Sequence, residues 1–171
     1  MIRLLSLSAI FTLLISLNSF GWQPETGGSG KGLDIFKVEM DADQLVIVLK
    51  SNLEAYQITL VDTTNPVAPL SNNVNLFPDF DKLKISFIQN FLVTSITTLY
   101  KIYTTDPNAI VLSPWVITIY QREDDDYSYI VVAKGSMLLD GTKFPKVKKA
   151  AEELESRIEQ AIKDLGAVKV Q

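Results

Sequence analysis

The 171-residue chain sets 16 lysines and arginines against 20 aspartates and glutamates, a formal net charge of −4, and it contains neither histidine nor cysteine. Those two absences exclude Ser-His-Asp and Cys-His catalysis, His-ligated zinc or haem, thiol redox chemistry and iron–sulfur clusters. The acidic balance supplies no global basic field for nucleic acid, so none is expected as a partner. Carboxylates, lysines, tyrosines and hydroxyls remain for any chemistry, and nothing in the composition calls for a cofactor.

Arg3 is the only charge before Glu25, and residues 4–17 are apolar apart from Ser6, Ser8, Thr12 and Ser16. A short positive start, an apolar stretch and a polar, small-residue exit predict a secretory signal peptide over residues 1–21. Ser19 and Gly21 occupy the −3 and −1 positions of a cleavage site before Trp22. The rival is an uncleaved anchor, because residues 4–20 approach the roughly 20 residues needed to cross a bilayer. The serines and Asn18 favour cleavage. No cysteine follows for lipid attachment. Removing residues 1–21 takes away Arg3 alone, so the mature balance is 15 − 20 = −5. The expected destination is periplasmic or secreted, and a cysteine-free mature chain without an Asn-x-Ser/Thr sequon leans towards the periplasm.

Residues 22–33 read as a flexible glycine-rich leader, and residues 34–171 as one α+β domain. The Gly-Ser-Gly-Lys-Gly run at 28–32 is not a phosphate loop. Glu25 stands where the first motif glycine belongs, Gly32 stands where Ser or Thr belongs, and the run precedes the first strand.

Alternation over residues 35–40 predicts a strand burying Phe36, Val38 and Met40. Asp41 with Gln44 makes a capping box, and Ala42, Leu45, Val46, Leu49 and Leu53 follow at helical spacing. A second strand is expected at 56–61, with Tyr56, Ile58 and Leu60 facing together. Pro66, Pro69, Pro78 and several asparagines then mark 62–81 as a long loop. Residues 83–89 predict a third strand burying Leu83, Ile85 and Phe87. Residues 92–103 carry both signals: threonines and aromatics favour strand, while Leu92, Ile96, Leu99 and Tyr103 fall at helical spacing. Residues 115–120 and 127–133 flank the acidic turn Glu123-Asp124-Asp125-Asp126 and predict a hairpin.

From Pro145 onward Val147, Ala150, Ala151, Leu154, Ile158, Ala161, Ile162 and Leu165 form one apolar stripe of a long C-terminal helix ended by Gly166. Three pairs four residues apart, Lys149–Glu153, Glu153–Arg157 and Glu159–Lys163, sit on its wet side. The expected architecture is an antiparallel sheet of four to five strands with helices on one face, ordered β-α-β4-α.

From Leu83 onward the chain resembles the domain-of-unknown-function 302 family. Phe87-Ile88-Gln89-Asn90 stands where the family has Phe-x-Asn-Pro, with Phe91 in place of the proline. Asp106-Pro107 matches its Asp-Pro pair, and Leu112-Ser113-Pro114 matches its Leu-Pro with Ser113 inserted. Residues 115–120 and the acidic turn match its hairpin. The resemblance implies a β-α-β4-α fold like that of the TATA-box-binding protein. It brings no established activity, and fold likeness to a DNA-binding protein licenses no DNA binding.

Two constellations stand out. Lys143, Lys146, Lys148 and Lys149 surround the start of the last helix, where they either hold an anion, a phosphorylated ligand or a lipid headgroup, or are simply solvated. Trp115, Tyr120, Tyr127 and Tyr129 line the hairpin. Trp115 and Tyr120, five residues apart in a strand, should face opposite ways, so that one set fills the core. The other set meets a ligand, a partner strand or a second copy in a homodimer, or only pairs across strands. Residues 123–126 lack the ligand spacing and glycine of a calcium loop, and they read as a charged hairpin tip. Asp41 and Asp43 read as first-turn helix residues rather than metal ligands. The leading expectation is an exported, non-enzymatic domain that binds a small ligand or an envelope protein. A structural accessory subunit of an envelope assembly is the alternative, followed by a hydrolase or isomerase using carboxylates and tyrosine.

Overall fold

The computed structural model describes residues 32–77, 79–140 and 145–170. The expected signal peptide, almost all of the leader, and Lys143 lie outside them. Six strands form one antiparallel sheet in the order β2-β3-β4-β5-β1-β6. The strands are β1 (Leu33–Val38), β2 (Thr59–Thr64), β3 (Ile85–Thr94), β4 (Trp115–Arg122), β5 (Ser128–Ala133) and β6 (Val168–Lys169). The helices are α1 (Ala42–Ala55), α2 (Ala68–Ser71), α3 (Ile96–Thr105) and α4 (Pro145–Lys163). The α+β class and the long C-terminal helix are as expected. The strand count is one higher, and α2 and α3 interrupt the run of strands.

Cross-strand partners point to the same face, so the register divides the sheet cleanly. Phe36, Phe91, Val93, Trp115, Ile117, Ile119, Ile130 and Val132 share the core face and are buried. Leu45, Leu49 and Leu53 of α1 pack there with Leu154, Ile158 and Ala161 of α4 and Ile102 of α3. Each large apolar side chain fully removed from water contributes about 1.5–3 kcal/mol before entropy is charged. The Asp41 side chain accepts from the Gln44 amide at 2.9 Å, which starts α1 where the capping box placed it.

Sequence and structure part at several points. The second strand begins at Thr59, not at residue 56. Tyr56 instead caps α1, and Gln57 takes a left-handed φ of 58° to turn the chain out of the helix. The 62–81 loop contains the end of β2, the α2 turn and the start of a 3₁₀ turn at Phe80–Leu83. Leu83 is therefore not a core strand residue and is 49% exposed. The ambiguous 92–103 stretch is both: β3 runs to Thr94, Ser95 breaks it, and α3 follows.

On α4 the Glu159–Lys163 pair closes at 2.8 Å. Glu153 goes instead to Lys101 of α3 at 2.7 Å. Arg157 turns inward to Tyr56, Ser95 and Thr98. Tertiary partners outcompete same-helix pairs worth only a few tenths of a kcal/mol. Gly166, at φ 77°, then reverses the chain into β6, which Asp34 of β1 holds through Lys169 at 2.8 Å.

Candidate functional site

The sheet face opposite the main helices carries the hairpin tyrosines. Tyr120 and Tyr129 are direct cross-strand partners, and their rings stack at 4.8 Å with planes 18° apart. Tyr127 meets Tyr129 edge-on at 5.4 Å, and Lys37 of β1 lays its ammonium 3.4 Å from the Tyr127 ring centre. The Arg122 guanidinium lies 5.7 Å from the Tyr129 ring centre. Such contacts gain from the negative ring faces and fix the tyrosines in place. Trp115 points the other way, as the five-residue spacing required, and is buried in the core against Gly135. Three of the four aromatic candidates thus come together, and the fourth is structural.

The cluster borders a cavity of about 350 Å³. Its floor is Ile85, Ile88, Tyr120 and Arg122 of β3 and β4; its other wall is Val67, Leu70, Phe80 and Leu83 from the segment joining β2 to β3. That segment, read as a loop, carries apolar residues because it folds back over the outer face of the sheet and shelters part of it. Asp81 and Arg122 are the charged residues on the lining. A mostly apolar hollow of this size with a few polar groups in its lining has the makings of a small-ligand site, which spans about 300–1,000 Å³.

Protonation in this corner is biased one way. Burial pushes the Tyr120 hydroxyl above its ordinary pKa of 10.0, helped by neighbouring Tyr129. Hydrogen bonding with Tyr129, then burial, then hydrogen bonding with Asp125 push Tyr127 up further. Both shifts favour the neutral, protonated hydroxyl. The carboxylates that shift, Glu153 and Asp164, are on the helical side and go down. The Lys101 contact lowers Glu153, and the Tyr56 hydroxyl at 2.6 Å lowers Asp164. No cluster of three or more metal-capable acids occurs among the described residues.

The lysine group divides. Lys146 and Lys149 line a second hollow between α3 and α4 together with Lys101. Lys148 turns away to Asp140 and Glu152, and the Asp140 bond raises its pKa. Sequence reading missed the pocket wall and Arg122. The available signal was the unusual supply of large apolar residues, Val67, Leu70, Phe80 and Leu83, in a stretch otherwise rich in proline and asparagine.

A solved structure of an uncharacterized conserved DUF302 protein from Bacillus stearothermophilus is similar to this fold, with a TM-score of 0.63 at 14% identity. The match covers 77% of this chain and 95% of that one, and the fold is DUF302-like. No family model and no curated protein sequence matches the chain.

Proposed function

We propose that this protein is an exported, non-enzymatic binding domain that takes a small, mainly apolar ligand into the hollow on the outer face of its sheet. The observation that carries this reading is the cavity of about 350 Å³ walled by Val67, Leu70, Phe80 and Leu83 over Ile88 and Tyr120. Solvent-facing apolar surface of that kind gains free energy when a ligand covers it. Tyr120 and Arg122 in the lining supply a hydroxyl and a cation to orient the ligand. Neutral tyrosines and a lining with one carboxylate suit recognition better than proton transfer, which wants an acid and a base with separated pKa values.

Native mass spectrometry of the protein taken from its own cell envelope tests this directly. A retained small molecule that leaves on gentle activation is the expected result. The substitution Ile88→Trp, which fills the cavity floor without touching the backbone ladder, should abolish retention while leaving the fold intact. A clean apo mass for the unaltered protein turns the reading towards an accessory subunit of an envelope assembly.

A further inference from the structure

Helix α3 buries a polar side chain beside an apolar one and leaves several large apolar side chains exposed. Its inward side carries Thr98 beside Ile102, because Arg157 of α4 needs the Thr98 and Ser95 hydroxyls as acceptors at 2.9 and 3.0 Å. Its outward side carries Ile96, Tyr100 and Tyr103, which are 76%, 68% and 59% exposed. Spacings of four and three residues put these on one helical face. Val111, in the 3₁₀ turn that follows, is 82% exposed. An apolar stripe on an outer helix face is what a soluble surface avoids and a docking surface requires.

Immediately beside the stripe, and sharing Tyr100 with it, lies the hollow of about 290 Å³ between α3 and α4. Lys101, Lys146, Lys149 and Glu153 line it, which makes +2 (three minus one) on a chain of net charge −4. Lys101 is paired to Glu153. Lys146 and Lys149 form no salt bridge among the described residues. Apolar and basic surface thus adjoin on one side of an acidic protein.

We infer that the α3–α4 face docks on an anionic phospholipid bilayer, with Ile96, Tyr100 and Tyr103 at the headgroup level and a lipid phosphate held by Lys146 and Lys149. The charge of the patch selects the occupant. A two-fold contact centred on the basic patch would crowd two copies of it together, whereas an anionic surface neutralises it. The stripe, moreover, is a convex helix ridge, which a bilayer accepts without shape complementarity. Tyrosine at the interface and lysines above anionic headgroups are what membrane-surface helices display.

The test is co-sedimentation of the full protein, as its own cell processes it, with vesicles. One set is phosphatidylcholine alone and the other a mixture with phosphatidylglycerol. Partitioning should be at least about tenfold stronger on the anionic vesicles and should collapse at about 1 M salt, where charges are screened within about 3 Å. The double substitution Lys146→Glu, Lys149→Glu and the single substitution Tyr100→Ser should each cost about tenfold. Their melting temperatures should hold, because these side chains are exposed, and Ile88→Trp, on the other side of the sheet, should bind vesicles normally. Equal binding to neutral vesicles, or unaltered binding by the lysine variant, overturns the inference. So does competition by millimolar glycerol phosphate that saturates the site without lipid, which would make the hollow a soluble-phosphate site. Concentration-dependent dimerisation lost in Tyr100→Ser, with no vesicle binding, or retention of the protein by an acidic protein alone, would reassign the face.

Discussion

Tyr127 touches Tyr129, Lys37 and the Asp125 side chain at once, and each contact bears on its proton. The net effect is a raised pKa, as for Tyr120. Raised folded values fix the sign of the pH response. The unfolded chain gives up these protons first as pH passes about 10, so folding holds them in the neutral form. The stability this contributes is complete below pH 10 and is lost as pH climbs towards the raised folded values. Denaturant unfolding at about pH 9 and about pH 11 should therefore show a lower midpoint at the higher pH. Tyr127→Phe, which deletes the hydroxyl that bonds Tyr129, should flatten that dependence. Tyrosinate absorbance of the folded protein should rise later than that of the unfolded chain. An absorbance curve identical in both states would mean the hydroxyls are solvated and the cluster looser than its ring distances indicate.

Between elements, one side chain ties three helices together. Arg157 of α4 donates to the Tyr56 carbonyl at the end of α1, at 3.2 Å, and to the Ser95 and Thr98 hydroxyls at the start of α3. Both hydroxyls are almost fully buried, and although Ser95 keeps Thr97 at 3.1 Å, removing Arg157 strips a charged donor from each. Arg157→Ala should cost about 2–3 kcal/mol, and Arg157→Lys should recover only part of it because an ammonium lacks the planar fork. A lower denaturant midpoint at unchanged slope checks this; a loss under about 0.5 kcal/mol would show water taking over the bonds.

The same arginine explains why α3 resisted sequence reading. Its apolar residues obey helical spacing, but the buried side mixes Thr98 with Ile102, and burial of Thr98 goes with an arginine 59 positions away. By contrast α4 and the β4–β5 hairpin were legible. Their apolar stripe and alternation coincide with what the core buries, and the Trp115–Tyr120 spacing alone separated core aromatic from surface aromatic. The pocket wall was hidden for another reason. Prolines and asparagines advertise irregular backbone, and they say nothing of where Val67, Leu70 and Phe80 come to rest. The β6 strand is too short to leave any alternation; the Asp34–Lys169 ion pair that fastens it joins the two ends of the domain.

At the scale of the whole molecule the two surfaces lie on opposite sides of one sheet: the tyrosine-rimmed hollow outside it, the α3–α4 face on the helical layer. A domain resting by its helices would leave the hollow open to solution, so the two proposals are compatible in space. No helix among the described residues is long and apolar enough to span a membrane. Export is a separate part of the proposed function, with residues 1–21 as its proposed signal. A core assembled without cysteine suits that route, because nothing in it depends on oxidation. Expressed with its own leader, the protein should accumulate outside the cytoplasm with Trp22 as its first residue and a formal charge of 15 − 20 = −5. Intact mass and N-terminal sequencing of the envelope fraction read this directly. A full-length chain extracted only by detergent would show the segment retained as an anchor. It would also make lysine-dependent vesicle binding a second tether, since a single weak membrane signal gives only reversible attachment and two give a stable one.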